Sequence, residues 1–339
     1  METVAITGAT GLLGANVATA FAAAGWRVRA VQRVGSRVDH LGHLPIDWRA
    51  VSFDSPQELI AAIAGADAVV HCAGVTAQSA RLGPTHRAGN IELTRIVLKA
   101  CAAAGIRRMV HCSSTVTCGF STVSSPPVTE DSAEMPVPPW PDAYAASKRA
   151  AENLALQHFD SMEVVVVNPG FLVGPLDSKP SSGRLMLHAA HGHAWVWTSG
   201  CNNFVDVRDV AVGIVRAVYH GRPGERYILG GHNLTYRDFI GRVARIAGRA
   251  PPPFRMQNAI ARAAGIAGDL VEWTTTRSTD VNSVTMRYAG WDGMRYSSAK
   301  AARELAYTAR PIEEAITAAL SWFERTGALP GTVRPSGAP

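Results

Sequence analysis

The stretch "TVAITGATGLLG", residues 3–14, decides how the rest of the chain is read. Residues 3–7, "TVAIT", are short and apolar enough for a buried strand. Gly8, Gly11 and Gly14 follow, and the run 12–25, "LLGANVATAFAAAG", reads as a helix closed by Gly25. Glycine permits the tight turn and lets a pyrophosphate approach the backbone. The free N–H groups and dipole of a helix N-terminus then favour the anion. A glycine triad alone says little. Between a strand and a helix it is a dinucleotide-binding signature.

Outward from that turn, strand and helix patterns alternate. Strands are expected at 27–33, 67–74, 108–114 and 162–170, and helices at 56–66, 90–105 and around 142–154. Such alternation implies a parallel sheet covered by helices on both faces, an α/β doubly wound fold. A Pro- and Ser-rich loop spans 120–141, and a loop that long in a compact domain is usually functional. Beyond residue 170 the rhythm weakens. Helices are expected near 236–247, 255–268, 298–306 and 311–325. The expected organisation is a dinucleotide-binding domain over 1–170, to which 204–230 returns. Residues 171–203 and 231–325 would form a smaller, mostly helical substrate lobe, and 326–339 a disordered tail.

Composition excludes several classes. The chain has 339 residues, 47% of them hydrophobic, enough for a large core. No 18-residue uncharged apolar run is present, so no membrane span is expected, and the N-terminus does not read as a signal peptide. Five cysteines without CxxC spacing fit reduced thiols in a cytoplasmic protein. The net charge of +6 is scattered, which argues against nucleic-acid binding. The histidines of "HAAHGH" (188–193) have no neighbouring Cys or carboxylate in sequence, so no metal is expected.

The segment "DAYAASKRAAENL" (142–154) sets Tyr144 and Lys148 four residues apart, on one face of a helix. A cation beside a phenol favours phenolate and lowers its pKa, which suits a general base. The plainer alternative is a polar stripe on a surface helix. Asn90, Thr94, Val97, Cys101 and Ala104 share one helical face, which turns Asn90 toward the sheet, where an unpaired amide is costly. Its alternative role is a helix N-cap.

Taken together, GxxGxxG at 8–14, "VVHCAG" (69–74), "VHCSSTVTCG" (110–119), "YAASK" (144–148), "NPGFLVGP" (168–175), "FVDVRDVA" (204–211) and "SSAKAARELAY" (297–307) resemble the extended branch of the short-chain dehydrogenase/reductase superfamily. That branch holds sugar epimerases, dehydratases and dihydroflavonol-reductase-like enzymes. The resemblance covers about residues 1–325, and "NPGFLVGPLDSKPSSGRL" with "GERYILGGHNLT" is most similar to the hopanoid-associated sugar epimerases. It implies a Rossmann-type fold, Tyr144 as acid/base, and Lys148 lowering its pKa while holding the nicotinamide ribose. Ser114, second of its serine pair, would polarise the substrate oxygen, with Ser113 and Thr115 as adjacent alternatives. Asn90 would support a relay to the lysine. The cofactor would meet Gly8, Thr10, Gly11, Leu12, Leu13 and Gly14 at the turn, Phe53 and Asp54 at the adenine end, and Ala73, Gly74, Pro169, Gly170 and Leu172 along its length. The family's adenine-binding Asp aligns best with Ser52, two residues before Asp54, which leaves that contact open. A homodimer acting on a small molecule is the implied assembly.

NAD-specific members carry an acidic residue after the second strand. Here "VQRVGSR" (31–37) offers Gln32, Arg33 and Arg37, with no carboxylate before Asp39. Guanidinium forks suit a 2′-phosphate, so NADP is expected over NAD. The expected function is hydride transfer between NADP(H) and a hydroxyl or ketone of a small, rather apolar substrate. A nucleotide-sugar epimerase or dehydratase is the alternative. Many of those place an arginine before the "FVDV" motif to clamp a diphosphate, and here Asn202 and Asn203 stand there. Trp195 and Trp197 suggest an aromatic pocket. A non-catalytic dinucleotide sensor is the alternative of another class.

Overall fold

The computed structural model describes the chain except residues 43, 122–124, 133–137, 158–161, 181, 276–278 and 331–339. The first half runs β1 (Thr3–Thr7), α1 (Leu12–Ala23), β2 (Arg27–Arg33), β3 (Ile46–Val51), α2 (Pro56–Ile63) and β4 (Ala68–His71). It continues through α3 (Gly83–His86), a π-helical turn (Arg87–Glu92), α4 (Leu93–Ala103), β5 (Arg108–Cys112), α5 (Ala143–Leu156) and β6 (Glu163–Pro169). The second half holds β7 (Phe171–Val173), α6 (Gly183–Ala190), β8 (Val196–Trp197), β9 (Cys201–Asp206), α7 (Val207–His220), β10 (Arg226–Leu229), β11 (His232–Thr235) and α8 (Tyr236–Ile246). It ends with β12 (Phe254–Arg255), α9 (Asn258–Thr275), α10 (Ser283–Ala289), α11 (Ala299–Leu305) and α12 (Ile312–Arg325).

Seven strands form one sheet in the order β3-β2-β1-β4-β5-β6-β10, every pair parallel. This is a Rossmann-type, doubly wound α/β fold. Its strands read as apolar runs because both faces are covered: Val164, Val165, Val166 and Val167 of β6 are all 0% exposed. Each such side chain contributes about 1.5–3 kcal/mol when fully buried. One face packs under α1, α7 and α11, the other under α2, α4 and α5. The chain winds one way from β1 and the other way from β4. The crevice beyond their carboxyl ends is therefore the topological switch point, where ligands bind in such sheets.

The second sheet joins β7, β9 and β11, and α6, α8 and α12 pack against it around Phe204, Phe239 and Phe323. Three details differ from the expected boundaries. Strand β9 pairs in this small sheet, with its Val205 reaching the large sheet's core, so of the 204–230 segment only β10 joins the large sheet, with α7 packed on it. Helix α11, expected in the lobe, buries Ala301 and Leu305 in the large sheet's core. The expected disordered tail starts too early: Ala328 and Leu329 donate backbone hydrogen bonds to Phe323, and Leu329 is 2% exposed in the lobe core. The remainder of that tail, 331–339, lies outside the described residues. The same holds for parts of the 120–141 loop, yet its described residues are anchored. Phe120 is buried, and the Glu130 carboxylate accepts from the Ile228 amide of β10 at 2.7 Å. No described helix is long and apolar enough to cross a membrane.

Candidate active site

The glycine turn is built by close packing. Gly8 has φ +75°, and a Cβ there would lie 2.6 Å from the Ala73 amide nitrogen. A Cβ on Gly14 would lie 2.2 Å from the Gly8 carbonyl oxygen. Gly11 is different. Its φ is −93°, and an added Cβ would meet only the Gly8 oxygen, at an ordinary 3.5 Å. The chain itself does not demand glycine at this exposed position. Gly11 caps α1 without a side-chain hydrogen bond, and the first turn carries no acidic residue. Open space before an uncapped helix N-terminus fits a pyrophosphate. Thr10 is part-exposed in the turn, and Leu12 and Leu13 carry the next amides.

Around this turn the other expected cofactor residues are spread along the sheet's edge. Arg33 ends β2, exposed and with no carboxylate partner among the described residues. Arg37 is exposed too, but its guanidinium is engaged by Asp39 at 3.3 Å. Gln32 Oε1 is buried and has no hydrogen-bond donor among the described residues. At the end of β3 the Ser52 hydroxyl accepts from the Asp54 amide at 3.3 Å, and Phe53 packs on the α2 side of the core. Ala73 and Gly74 follow β4. Pro169 ends β6, Gly170 lies so close to the Asn203 carbonyl that a Cβ would clash at 2.6 Å, and Leu172 packs on the main core.

Tyr144 and Lys148 stand on α5, which starts where it does because Asp142 caps it. The Asp142 carboxylate accepts from the Tyr144 and Ala145 amides at 2.8 and 3.1 Å. Its other oxygen accepts from the Tyr288 hydroxyl of α10, which locks the lobe onto this helix. The Ser114 hydroxyl neighbours the Tyr144 phenol and favours its ionised form. Ser113 instead faces Thr117 at 3.5 Å, and the Tyr296 hydroxyl donates to the Gly119 carbonyl at 3.1 Å. Asn168 Nδ2 holds the Ser114 carbonyl at 3.2 Å and the buried Glu152 carboxylate at 2.8 Å, so the serine loop is fixed from below.

The electrostatics correct one expectation. Burial raises the Tyr144 pKa above its usual value; the Ser114 hydroxyl opposes this and Asp142 adds to it. Lys148 does not act on the phenol in this state. Its ammonium donates to the Cys112 carbonyl at 2.8 Å, and burial lowers its own pKa, opposed by Cys112, Glu152 and Cys72. Helical spacing gives proximity of backbone positions, and the buried carbonyl 36 residues away won the ammonium. The floor beneath is kept neutral: burial pushes His71 down to about 3.

Asn90 lies in the π-helical turn and is 2% exposed. Its Nδ2 donates to the Val75 carbonyl at 3.1 Å and to Ser147 Oγ at 2.9 Å, while its Oδ1 accepts from the Val75 amide at 2.8 Å. It therefore staples the loop after β4 to α5, on the turn of helix that carries Lys148.

The aromatic wall is not where it was expected. Trp195 is 66% exposed on the lobe surface, and Trp197 lies under Arg237, 4.8 Å from its ring centre. The rings in the cluster that includes Tyr144 are Phe120, Trp140, Tyr288, Trp291 and Tyr296, with Trp140 and Trp291 4.8 Å apart. Trp140 Nε1 is buried without an acceptor among the described residues. His86 is the other neighbour that sequence reading missed, its ring 5.8 Å from that of Tyr144. Burial lowers its pKa. No spacing rule marks His86, whereas Asp142 carried the signature of a helix cap. Asn202 and Asn203 are buried and bonded within the protein, to Tyr236 and Asn233 respectively.

A parallel sheet with this glycine turn at its switch point defines a dinucleotide-binding α/β enzyme. The chain belongs to the NAD dependent epimerase/dehydratase family, which its residues 4–230 match, and it is an NAD(P)-dependent oxidoreductase of the extended short-chain dehydrogenase/reductase type. A Synechocystis sp. protein provisionally named dihydroflavonol 4-reductase is 29% identical over 95% of this chain and 94% of its own. Sterol demethylase protein B of Methylococcus capsulatus is 28% identical over 96% of this chain and 100% of its own. Among solved structures, a nucleoside-diphosphate-sugar epimerase from Pseudomonas aeruginosa superposes with a TM-score of 0.79 at 26% identity, covering 97% of this chain and 99% of that one.

Proposed function

We propose that this protein transfers a hydride between NADP(H) and a ketone or hydroxyl carbon of a small, rather apolar substrate. The observation that carries the reading is the Ser114–Tyr144 hydroxyl pair set against the Trp140–Trp291 wall. The nicotinamide, when bound, supplies or accepts the hydride. In reduction Tyr144 gives its proton to the substrate oxygen, so ketone, hydride and proton together make the alcohol. Burial raises the phenol's pKa and keeps it protonated at neutral pH, ready to donate. Ser114 donates a second hydrogen bond to the same oxygen, where negative charge develops. Lys148 would hold the ribose hydroxyls, and Asn90 positions its helix. The Gly11 opening and the α1 amides would take the pyrophosphate, and Arg33 the 2′-phosphate. Gly8, Gly14, Gly74 and Gly170 would serve the cofactor indirectly, by letting the surrounding chain pack closely, and Ala73 by the small size of its side chain.

The buried amides of Asn202 and Asn203 support an apolar substrate, since they are already spent on protein partners where a diphosphate clamp would stand. The names of the reductase and sterol demethylase relatives point the same way. The similarity to the Pseudomonas structure favours a second reading, nucleotide-sugar epimerisation. A panel of apolar ketones and nucleotide sugars separates them. NADPH consumption with the ketones supports the first reading. Turnover confined to UDP- or dTDP-sugars, followed by product analysis because epimerisation leaves no net absorbance change, overturns it.

A further inference from the structure

Helix α9 reverses the ordinary pattern of a surface helix, which turns its polar side to water. Of its 18 residues only Ala261, Gly265 and Glu272 are buried, and successive turns stack these three along one side. The opposite half carries Ile260, Ile266, Leu270, Val271 and Trp273 and no charged side chain. Trp273 is 72%, Ile266 66% and Leu270 60% exposed. The helix cannot roll this face inward. Its buried Glu272 accepts from Ser79 Oγ at 2.5 Å and from the Thr279 amide at 2.8 Å, and Asp269 accepts from the Ser283 amide at 3.0 Å. Both acidic residues of the helix are thus held on the inner side. The β8–β12 ribbon that leads directly into α9 adds Trp195 and Phe254, 66% and 64% exposed.

The charge around this patch is positive. Arg262 borders the apolar face, and Arg237 and Arg255 stack on Trp197. None of the three has a carboxylate within ion-pair distance among the described residues. We propose that α9 and the ribbon before it dock on an anionic lipid bilayer surface. The helix lies in the interface plane, its apolar half reaches the acyl boundary, the tryptophans sit at headgroup level, and the guanidiniums meet lipid phosphates. A second copy of the chain is a poorer occupant. A two-fold interface on this face would set cationic rims against each other, whereas a fluid anionic surface complements them. The proposal stands apart from the catalytic reading.

Flotation of the full chain with vesicles tests it. Binding is expected to phosphatidylcholine vesicles containing phosphatidylglycerol, weaker to phosphatidylcholine alone, and reduced by salt. The variant Ile266→Glu/Leu270→Glu should lower partitioning about tenfold or more. Arg255→Ala/Arg262→Ala should weaken binding only to the anionic vesicles. Thermal melting and a cofactor titration should match the parent chain in both variants, which shows that the fold is kept. Absence of binding to the anionic vesicles overturns the proposal. So does binding that Ile266→Glu/Leu270→Glu leaves unchanged. Concentration-dependent self-association in sedimentation, lost in that variant and without vesicle binding, assigns the face to a second copy instead.

Discussion

Tyr144 carries the account at the scale of single residues. Tyr144→Phe keeps the ring and removes the transferable proton. Turnover should fall by about 10²–10⁴-fold, while a fluorescence titration shows near-normal cofactor binding. The phenol's pKa is raised, and the sign follows. Reduction needs the protonated phenol, so its rate should hold level from neutral into mildly alkaline pH and fall only above that. Oxidation needs the phenolate and should climb with pH over the same range. A reduction rate already collapsing near neutral pH would contradict the direction of the shift. On the NADP reading, the 2′-phosphate would rest mainly on Arg33, because Asp39 already occupies Arg37. Arg33→Ala should weaken NADPH binding while leaving NADH nearly unchanged, and Arg37→Ala should do less. Equal losses for both cofactors would remove the NADP reading. The Tyr–Lys spacing was legible in the sequence. The Lys148 hydrogen bond was not, because its acceptor is the end of another strand, and helical periodicity carries no information about side-chain direction.

Among the elements, the β1–α1 turn separates what folding requires from what a ligand requires. Gly8→Ala forces a side chain into a left-handed conformation costing about 1–2 kcal/mol, and into contact with the Ala73 backbone. It should lower Tm. Gly11→Ala is unstrained and should keep the parent Tm while cofactor affinity falls. If Gly11→Ala bound cofactor normally, the opening at Gly11 would have no role. At α5, Asp142→Ala removes the cap, worth about 1 kcal/mol. It also frees Tyr288, so thermal denaturation should show a loss beyond that of a cap alone. The turn was readable because strand, glycines and helix are contiguous. The lobe was less so. Helix α9 was expected at 255–268 and runs over 258–275, because an outward face without charged residues hides the usual period. Helix α10 escaped notice, being 7 residues long and opened by an Asn282–Thr285 capping box instead of the commoner acidic form.

At the scale of the whole molecule, a parallel sheet presents a dinucleotide crevice, and a lobe is tied to it through Tyr288 and Asp142. The alternation of apolar strands and helices made the sheet legible. The aromatic cluster was not, because Tyr288 and Trp291 are brought to Trp140 and Tyr144 only by the docking of the lobe. The central claim is that Tyr144 protonates a carbonyl oxygen as NADPH gives up its hydride. Single-turnover reduction of an apolar ketone, followed by nicotinamide absorbance in the parent chain and in Tyr144→Phe with both saturated in NADPH, tests this most directly. The account predicts NADPH oxidation in the parent and a loss of at least about 10²-fold in the variant. Equal rates in the two proteins would contradict it.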